Sequence, residues 1–194
     1  ISPDGKKVAF VVRGEVFAAS AKDGGDAARV SRTAENESQI VWSPDSRKLV
    51  YASDRDSTSH LFMYDFATES ESRLTAANDT DHSARFSPDG KFLAFIRGDK
   101  ELRVVELTSK QQRFLSRGVF DRPPFAATPP FRWSPDNRCL AYLSTGDKGF
   151  TNVHVVAIDG AEGRPVSFLA NAFANTVTWS SDGKVIFFDT TQRT

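Results

Sequence analysis

A chain of 194 residues with one cysteine, Cys139, cannot close a disulfide on itself. A domain of this length buries roughly 70% of the surface its unfolded form exposes, so it needs none. The thiol opens an apolar strand and is expected to act as a small buried hydrophobe rather than a reactive group. No apolar run approaches the roughly 20 residues of a membrane-spanning helix, and no secretory leader is legible. Charge excess is missing too: 25 basic residues meet 25 acidic ones, with no basic cluster. That argues against a nucleic-acid or anionic-membrane surface. Gly-x-Ser-x-Gly, Cys-x-x-Cys, His-Glu-x-x-His and a phosphate-cradling glycine loop are all absent, and the three histidines show no arrangement suited to general-base work. No segment longer than a turn shows helical spacing, which leaves an all-β chain.

What the sequence does contain is a recurring pentapeptide. Trp42-Ser43-Pro44-Asp45-Ser46 has copies at Ile1 to Gly5, Phe86 to Gly90, Trp133 to Asn137 and Trp179 to Gly183, and successive serines lie 41, 44, 47 and 46 residues apart. This is the period of a propeller blade. Pro presets φ for a turn, Asp bonds back to the local backbone, and Gly accepts the positive φ that follows, so each copy reads as a tight hairpin with a bulge at its fifth position. Ser46 and Asn137 replace that Gly. Asn tolerates the left-handed region and Ser costs about 1 kcal/mol there, so the turn is expected to survive both.

Six and eight residues after each Ser come Val8 and Phe10, Leu49 and Tyr51, Leu93 and Phe95, Leu140 and Tyr142, Ile186 and Phe188. An apolar residue followed two places on by an aromatic marks one face of a strand. The intervening Ala9, Val50, Ala94, Ala141 and Phe187 make the other face apolar as well. Such strands belong between layers, as in a blade covered on both sides. A β-sandwich also has short strands, but does not predict one turn and one strand at a fixed period.

The expected fold is therefore a β-propeller of four-stranded antiparallel blades, incomplete within this chain. A partial blade spans 1–33, complete blades span 37–75, 82–116 and 130–169, with last strands expected at Ser72 to Thr75, Gln112 to Leu115 and Val166 to Phe168, and a second partial blade spans 174–190. In a closed four-bladed ring the strand Val185 to Asp189 would duplicate one already present. The chain is therefore expected to belong to a longer one with more blades, its two end sheets offering edges to neighbours.

Ser-Pro-Asp-Gly after an aromatic, then Lys-Lys-Val-Ala-Phe or Lys-Phe-Leu-Ala-Phe, then a last strand ending in Arg-Leu-Thr (Arg73 to Thr75), resembles the propeller repeat of TolB, of tricorn-type proteases and of prolyl-oligopeptidase-like enzymes. Ile1 to Phe17 is most similar to the opening of a tricorn-type blade. The tricorn resemblance implies a non-catalytic propeller portion of a larger bacterial or archaeal peptidase that filters or channels peptides, its catalytic groups lying in a later domain. The alternatives are a TolB-like protein-binding propeller with no enzyme attached, or the propeller of a prolyl-oligopeptidase-like serine peptidase. Partners are then peptides, proteins or other domains of the same polypeptide. The periplasm is slightly favoured over the cytoplasm.

Alternate connections in a blade emerge on opposite faces. The Ser-Pro-Asp-Gly turns share one; the second-to-third strand loops and the links between blades share the other, where binding residues tend to sit. That face carries Arg55, Arg97, Lys148 and Phe150, together with the segment 116–131, which contains Phe120, Asp121, Arg122, Phe125 and Phe131 and holds four of the nine prolines. Paired prolines stiffen an extended chain, so the segment reads either as a docking edge for a peptide or domain, or as a long loop folded over its own blade. No catalytic, metal or cofactor residue is assigned. Asp54, Asp56, Thr58 and Asp65 imitate a calcium-loop count but lack the required Gly, and Asn78, Asp79, Asp81 and His82 read as solvated loop residues. The repeated Asp4, Asp45, Asp89, Asp136 and Asp182 recur because the turn needs them.

Overall fold

The structure, a computed structural model, describes residues 1–120, 129–160 and 162–192. Its described residues form seventeen strands and no helix. The first sheet holds β1 (Lys7–Val12), β2 (Glu15–Ser20) and β3 (Ala28–Arg29); the second holds β4 (Glu37–Trp42), β5 (Lys48–Ser53), β6 (His60–Asp65) and β7 (Ser70–Arg73). The third comprises β8 (Asp81–Phe86), β9 (Phe92–Arg97), β10 (Glu101–Glu106) and β11 (Gln112–Arg117). The fourth comprises β12 (Phe131–Trp133), β13 (Cys139–Thr145), β14 (Thr151–Ala157) and β15 (Arg164–Pro165), and the fifth β16 (Ala172–Trp179) and β17 (Ile186–Gln192). Every pairing is antiparallel between sequence neighbours, and β17 pairs with β16 rather than returning to an earlier sheet. This is an incomplete propeller of three full blades and two partial ones.

Each pentapeptide makes the same hydrogen-bond set. In the fourth blade the Ser134 hydroxyl donates to Asp136 Oδ1 at 2.6 Å and accepts from the Cys139 N–H at 2.9 Å, while the Arg138 N–H donates to Asp136 Oδ1 at 3.1 Å. The Asn137 N–H closes the turn on the Ser134 carbonyl at 3.0 Å. The fifth position has positive φ in all five copies: 71° at Gly5, Gly90 and Gly183, 61° at Ser46 and 64° at Asn137. Where Gly is replaced, the new side chain bridges to the preceding blade: Ser46 Oγ accepts from the Asp4 N–H at 3.0 Å, and Asn137 Oδ1 from the Asp89 N–H at 2.9 Å. The substitution that strains one turn thus ties it to its neighbour.

A second repeated device ends the outer strands. The N–H groups of Val16, Leu61 and Val153 donate to the hydroxyls of Ser31, Thr75 and Ser167 at 3.0, 3.0 and 2.9 Å. The carbonyls of the same three residues each accept two successive N–H groups, those of Leu74 and Thr75 in the second blade. Regular pairing therefore stops earlier than sequence spacing predicts. The last strand of the second blade is Ser70–Arg73 rather than Ser72 to Thr75, and that of the fourth is Arg164–Pro165 rather than Val166 to Phe168.

The core is divided among the gaps between blades. Leu49 and Tyr51 face the first blade while Val50 and Ala52 face the third; Leu93 and Phe95 look back to the second while Ala94 and Ile96 look on to the fourth. Leu140 and Tyr142 pack against the third blade, Ala141 and Leu143 against the fifth. Burial is worth roughly 25 cal/mol per Å² of apolar surface, and all twelve of these second-strand residues are at most 2% exposed. In the end blades the same positions have cover on one side only, and Phe10 and Phe187 are 36% and 57% exposed. Cys139 is half-buried, and desolvation raises its thiol pKa, with the Asp136 charge acting the same way.

Candidate functional site

On the face opposite the pentapeptide turns, loops and links are joined by backbone hydrogen bonds into one band. The Gly98 N–H donates to Thr80 O, Gly118 N–H to Lys100 O, Phe120 N–H to Asp99 O and Thr145 N–H to Val119 O, at 2.9 to 3.3 Å. Gly98 has φ of +55°, and a Cβ there would run into the Asp79 carboxylate, so the close approach of loop to link favours glycine.

The residues expected to bind a partner are spread along this band. The Arg55 guanidinium lies 3.8 Å over the Phe62 ring, donates to Glu71 at 2.5 and 3.2 Å and to Ser53 Oγ at 2.9 Å, and stands 3.7 Å from Glu37. Glu37 is buried and accepts from the hydroxyls of Thr33 and Ser53 at 2.5 and 3.0 Å. Burial, and after it the Glu37 charge, raises the Glu71 carboxyl above its usual range, and the Tyr51 hydroxyl donates to it. Arg97 is held in the same manner, its Nε and Nη2 gripping the fully buried Asp81 at 2.7 and 2.9 Å and its Nη2 donating to Gln112 at 3.1 Å. Both arginines join elements of the scaffold. Asp81 is thereby a buried partner in an ion pair, not the solvated loop residue expected.

Phe120 and Phe131 are buried between the third and fourth blades, with Phe120 5.9 Å from the Tyr142 ring. Their rings fill core and offer no docking edge. Asp121, Arg122 and Phe125 lie outside the described residues. Among the described residues no three His, Cys, Asp or Glu side chains are grouped to hold a metal ion. His82 pairs with Asp99 at 2.9 Å, and His154 stacks on Tyr142 with burial lowering its pKa.

Lys148 and Phe150 do share a groove, of about 410 Å³, between the fourth blade and the link to the fifth. Asn152 on β14 builds its wall by accepting from the Ser167 hydroxyl at 2.9 Å and the Leu169 N–H at 2.6 Å. With Ser167 and Leu169 turned inward, Phe168 between them turns out and is 82% exposed. His154, Pro165 and Gly146 are also in the lining, and Phe150 is braced by Phe173 at 6.3 Å. Sequence spacing assigns Phe168 to a strand and so misses it; the signal was a lone aromatic between Ser and Leu at the end of the repeat.

Comparison with known proteins fits this architecture. No protein of curated function matches the sequence. TolB from Acinetobacter baumannii is 21% identical over 94% of this chain and 46% of its own, with a TM-score of 0.67. The tricorn protease gives 18% over 95% of this chain and 18% of its own, with a TM-score of 0.73. Dipeptidyl peptidase 4 from Porphyromonas gingivalis gives 14% over 98% and 35%, with a TM-score of 0.74. The chain thus spans about half the length of the Acinetobacter TolB, and at these identities the likeness is one of fold. Residues 1–130 match the family described as TolB beta propeller domain, and the chain belongs to that family.

Proposed function

We propose that this chain is a non-catalytic propeller portion that binds an extended peptide or protein segment, in the service of a larger tricorn-like bacterial peptidase whose substrates it filters or channels. The observation that carries the reading is the groove of Lys148, Phe150 and Phe168. A single exposed apolar residue is ordinary, but an 82% exposed Phe that lines one groove together with a second aromatic and a lysine is suited to an apolar side chain followed by an acidic group. The family match over 1–130 also supports a second reading, a TolB-like protein-binding propeller with no enzyme attached. Both place peptide or protein at the groove and chemistry elsewhere.

The test is fluorescence anisotropy with a labelled mixture of unstructured octapeptides. Phe168→Ser is expected to lower affinity about tenfold, the effect of losing one buried aromatic anchor, while leaving the unfolding midpoint in place. Equal binding by Phe168→Ser and the parent would reject the groove. Sustained peptide hydrolysis by this chain alone would reject the non-catalytic assignment.

A further inference from the structure

Side-chain hydrogen bonds tie the first strands of successive blades to one another along the arc. The Ser83 N–H of β8 donates to Gln39 Oε1 of β4 at 2.6 Å, and the indoles of Trp133 and Trp179 each donate to the first strand of the blade before. The residue two places before the repeat Ser is Val41, Arg85, Arg132 or Thr178 along these strands. Two adjacent blades therefore put arginine where the others put an uncharged side chain.

These arginines differ from Arg55 and Arg97. Neither forms an ion pair with any carboxylate among the described residues. The Arg85 side chain donates no hydrogen bond there, and its Nε is buried without a partner. Arg132 spends only Nη1, on the carbonyls of Pro129 and Phe131 at 3.1 and 2.9 Å. Burial lowers the pKa of both, with the Arg85 charge acting the same way on Arg132, and the Arg132 guanidinium sits 3.1 Å from the carbonyl of Pro129, a residue that lines the same cavity as Arg85. A desolvated guanidinium with unused donors costs stability, and adjacent like charge adds to the cost. Selection for stability alone would put Val or Thr there.

The space in front of Arg85 is a cavity of about 270 Å³ lined by Gln39, Ile40, Val41, Ser83, Ala84 and Pro129. Gln39 and Ser83 sit at β-bulges in β4 and β8 with φ of 54° and 57°, left-handed conformations unusual for such residues. Strain of this kind collects where backbone is shaped around a ligand. The walls are mostly apolar, and the Gln39 carbonyl oxygen is already taken by Ser83. A ligand here finds one strong recognition element, the Arg85 guanidinium fork, which matches the two oxygens of a carboxylate, and Arg132 reaches the same wall through its bond to the Pro129 carbonyl.

We propose that Arg85 and Arg132 form a carboxylate-anchoring subsite on the first strands of adjacent blades, taking the C-terminal carboxylate or an acidic side chain of a bound peptide. This site is separate from the Phe168 groove and does not depend on it.

Three fluorescein-labelled tetrapeptides test it: tetra-alanine with a free C-terminus, the same peptide amidated, and an amidated version ending in Glu. Binding of the free acid about tenfold or more tighter than the amide supports a carboxylate anchor, that being the scale of one charge-assisted hydrogen bond. Comparable binding by the Glu-ended amide assigns the site to carboxylates in general, and its failure assigns it to chain ends. Arg132→Gln should remove the preference for acid over amide, Arg85→Lys should weaken it by keeping charge without the fork, and Phe168→Ser should leave it intact. Arg85→Met separates binding from folding: it should abolish the preference and raise the urea midpoint, whereas an arginine serving structure alone would lower the midpoint on removal. Acid and amide binding alike, or a preference that survives Arg132→Gln, overturns the proposal, including the case in which a carboxylate of this chain already occupies the pair.

Discussion

The indole N–H of Trp133 donates to the backbone carbonyl of Arg85 in the preceding blade at 3.1 Å, and Trp179 does the same to Arg132 at 3.1 Å. Trp42 holds the same repeat position, yet its Nε1 is buried without a partner among the described residues. Phe86, in the third blade, has no N–H to place. Trp133→Phe and Trp179→Phe are therefore expected to lose about 1 kcal/mol more than Trp42→Phe, the net worth of one hydrogen bond. Urea unfolding of the three variants checks this, and equal losses would mean the indole bridges carry no stability.

The fifth turn position offers a sharper comparison. Gly183→Ala would meet only the Pro135 ring, with Cδ at 3.5 Å and Cγ at 4.0 Å, ordinary contacts, so its expected cost of about 1 kcal/mol comes from the positive φ alone. Ser46→Gly should change stability by less than about 0.5 kcal/mol, because relieving the same strain offsets the lost bond from the Asp4 N–H. The two unfolding midpoints give the answer, and a large loss in Ser46→Gly would show that the bridge between turns outweighs the strain.

Asp81 is fully buried and gripped by Arg97, which marks this pair as one whose halves are costly to separate. Asp81→Ala is expected to destabilise by about 3 kcal/mol, leaving a guanidinium uncompensated. Adding Arg97→Leu should recover at least half of that loss. A double-mutant cycle measures the coupling, and no recovery would place the cost in packing rather than charge.

Acid sensitivity follows from the turns. The serine hydroxyl, then the backbone N–H two residues on, holds Asp4, Asp136 and Asp182 below the usual carboxylate range; at Asp45 and Asp89 burial opposes this but the hydrogen bonds prevail. A folded pKa below the unfolded one contributes stability that is complete above about pH 4 and is lost as pH falls through the folded value. The urea midpoint should therefore drop steeply below about pH 4, and Asp136→Asn together with Asp182→Asn should flatten that drop. An unchanged slope would assign acid loss to other carboxylates.

Period-two and blade-length patterns were legible because each is enforced locally and five times over. The turn requires Ser, Pro and Asp whatever surrounds it, and Leu49, Tyr51 and their equivalents alternate because both faces of their strands are covered. Strand ends were less legible where a hydroxyl such as Thr75 or Ser167 interrupts pairing by taking an N–H from the third strand, a bond between residues 14 apart.

Functional residues were the least legible. Arg55, Arg97 and Phe120 stand in loop-face segments that sequence marks as available, yet Glu71, Asp81 and Tyr142 from other strands claim them. Phe168 and Arg85 lie within the repeat pattern and acquire their interest only from what fails to cover them. The sequence by itself determined the repeat, the turn chemistry and the doubly apolar strands, since these depend on short-range sterics and periodicity. Only the tertiary structure decided which charged and aromatic side chains are spent on the scaffold and which are left over, since that depends on partners brought together from neighbouring strands and blades.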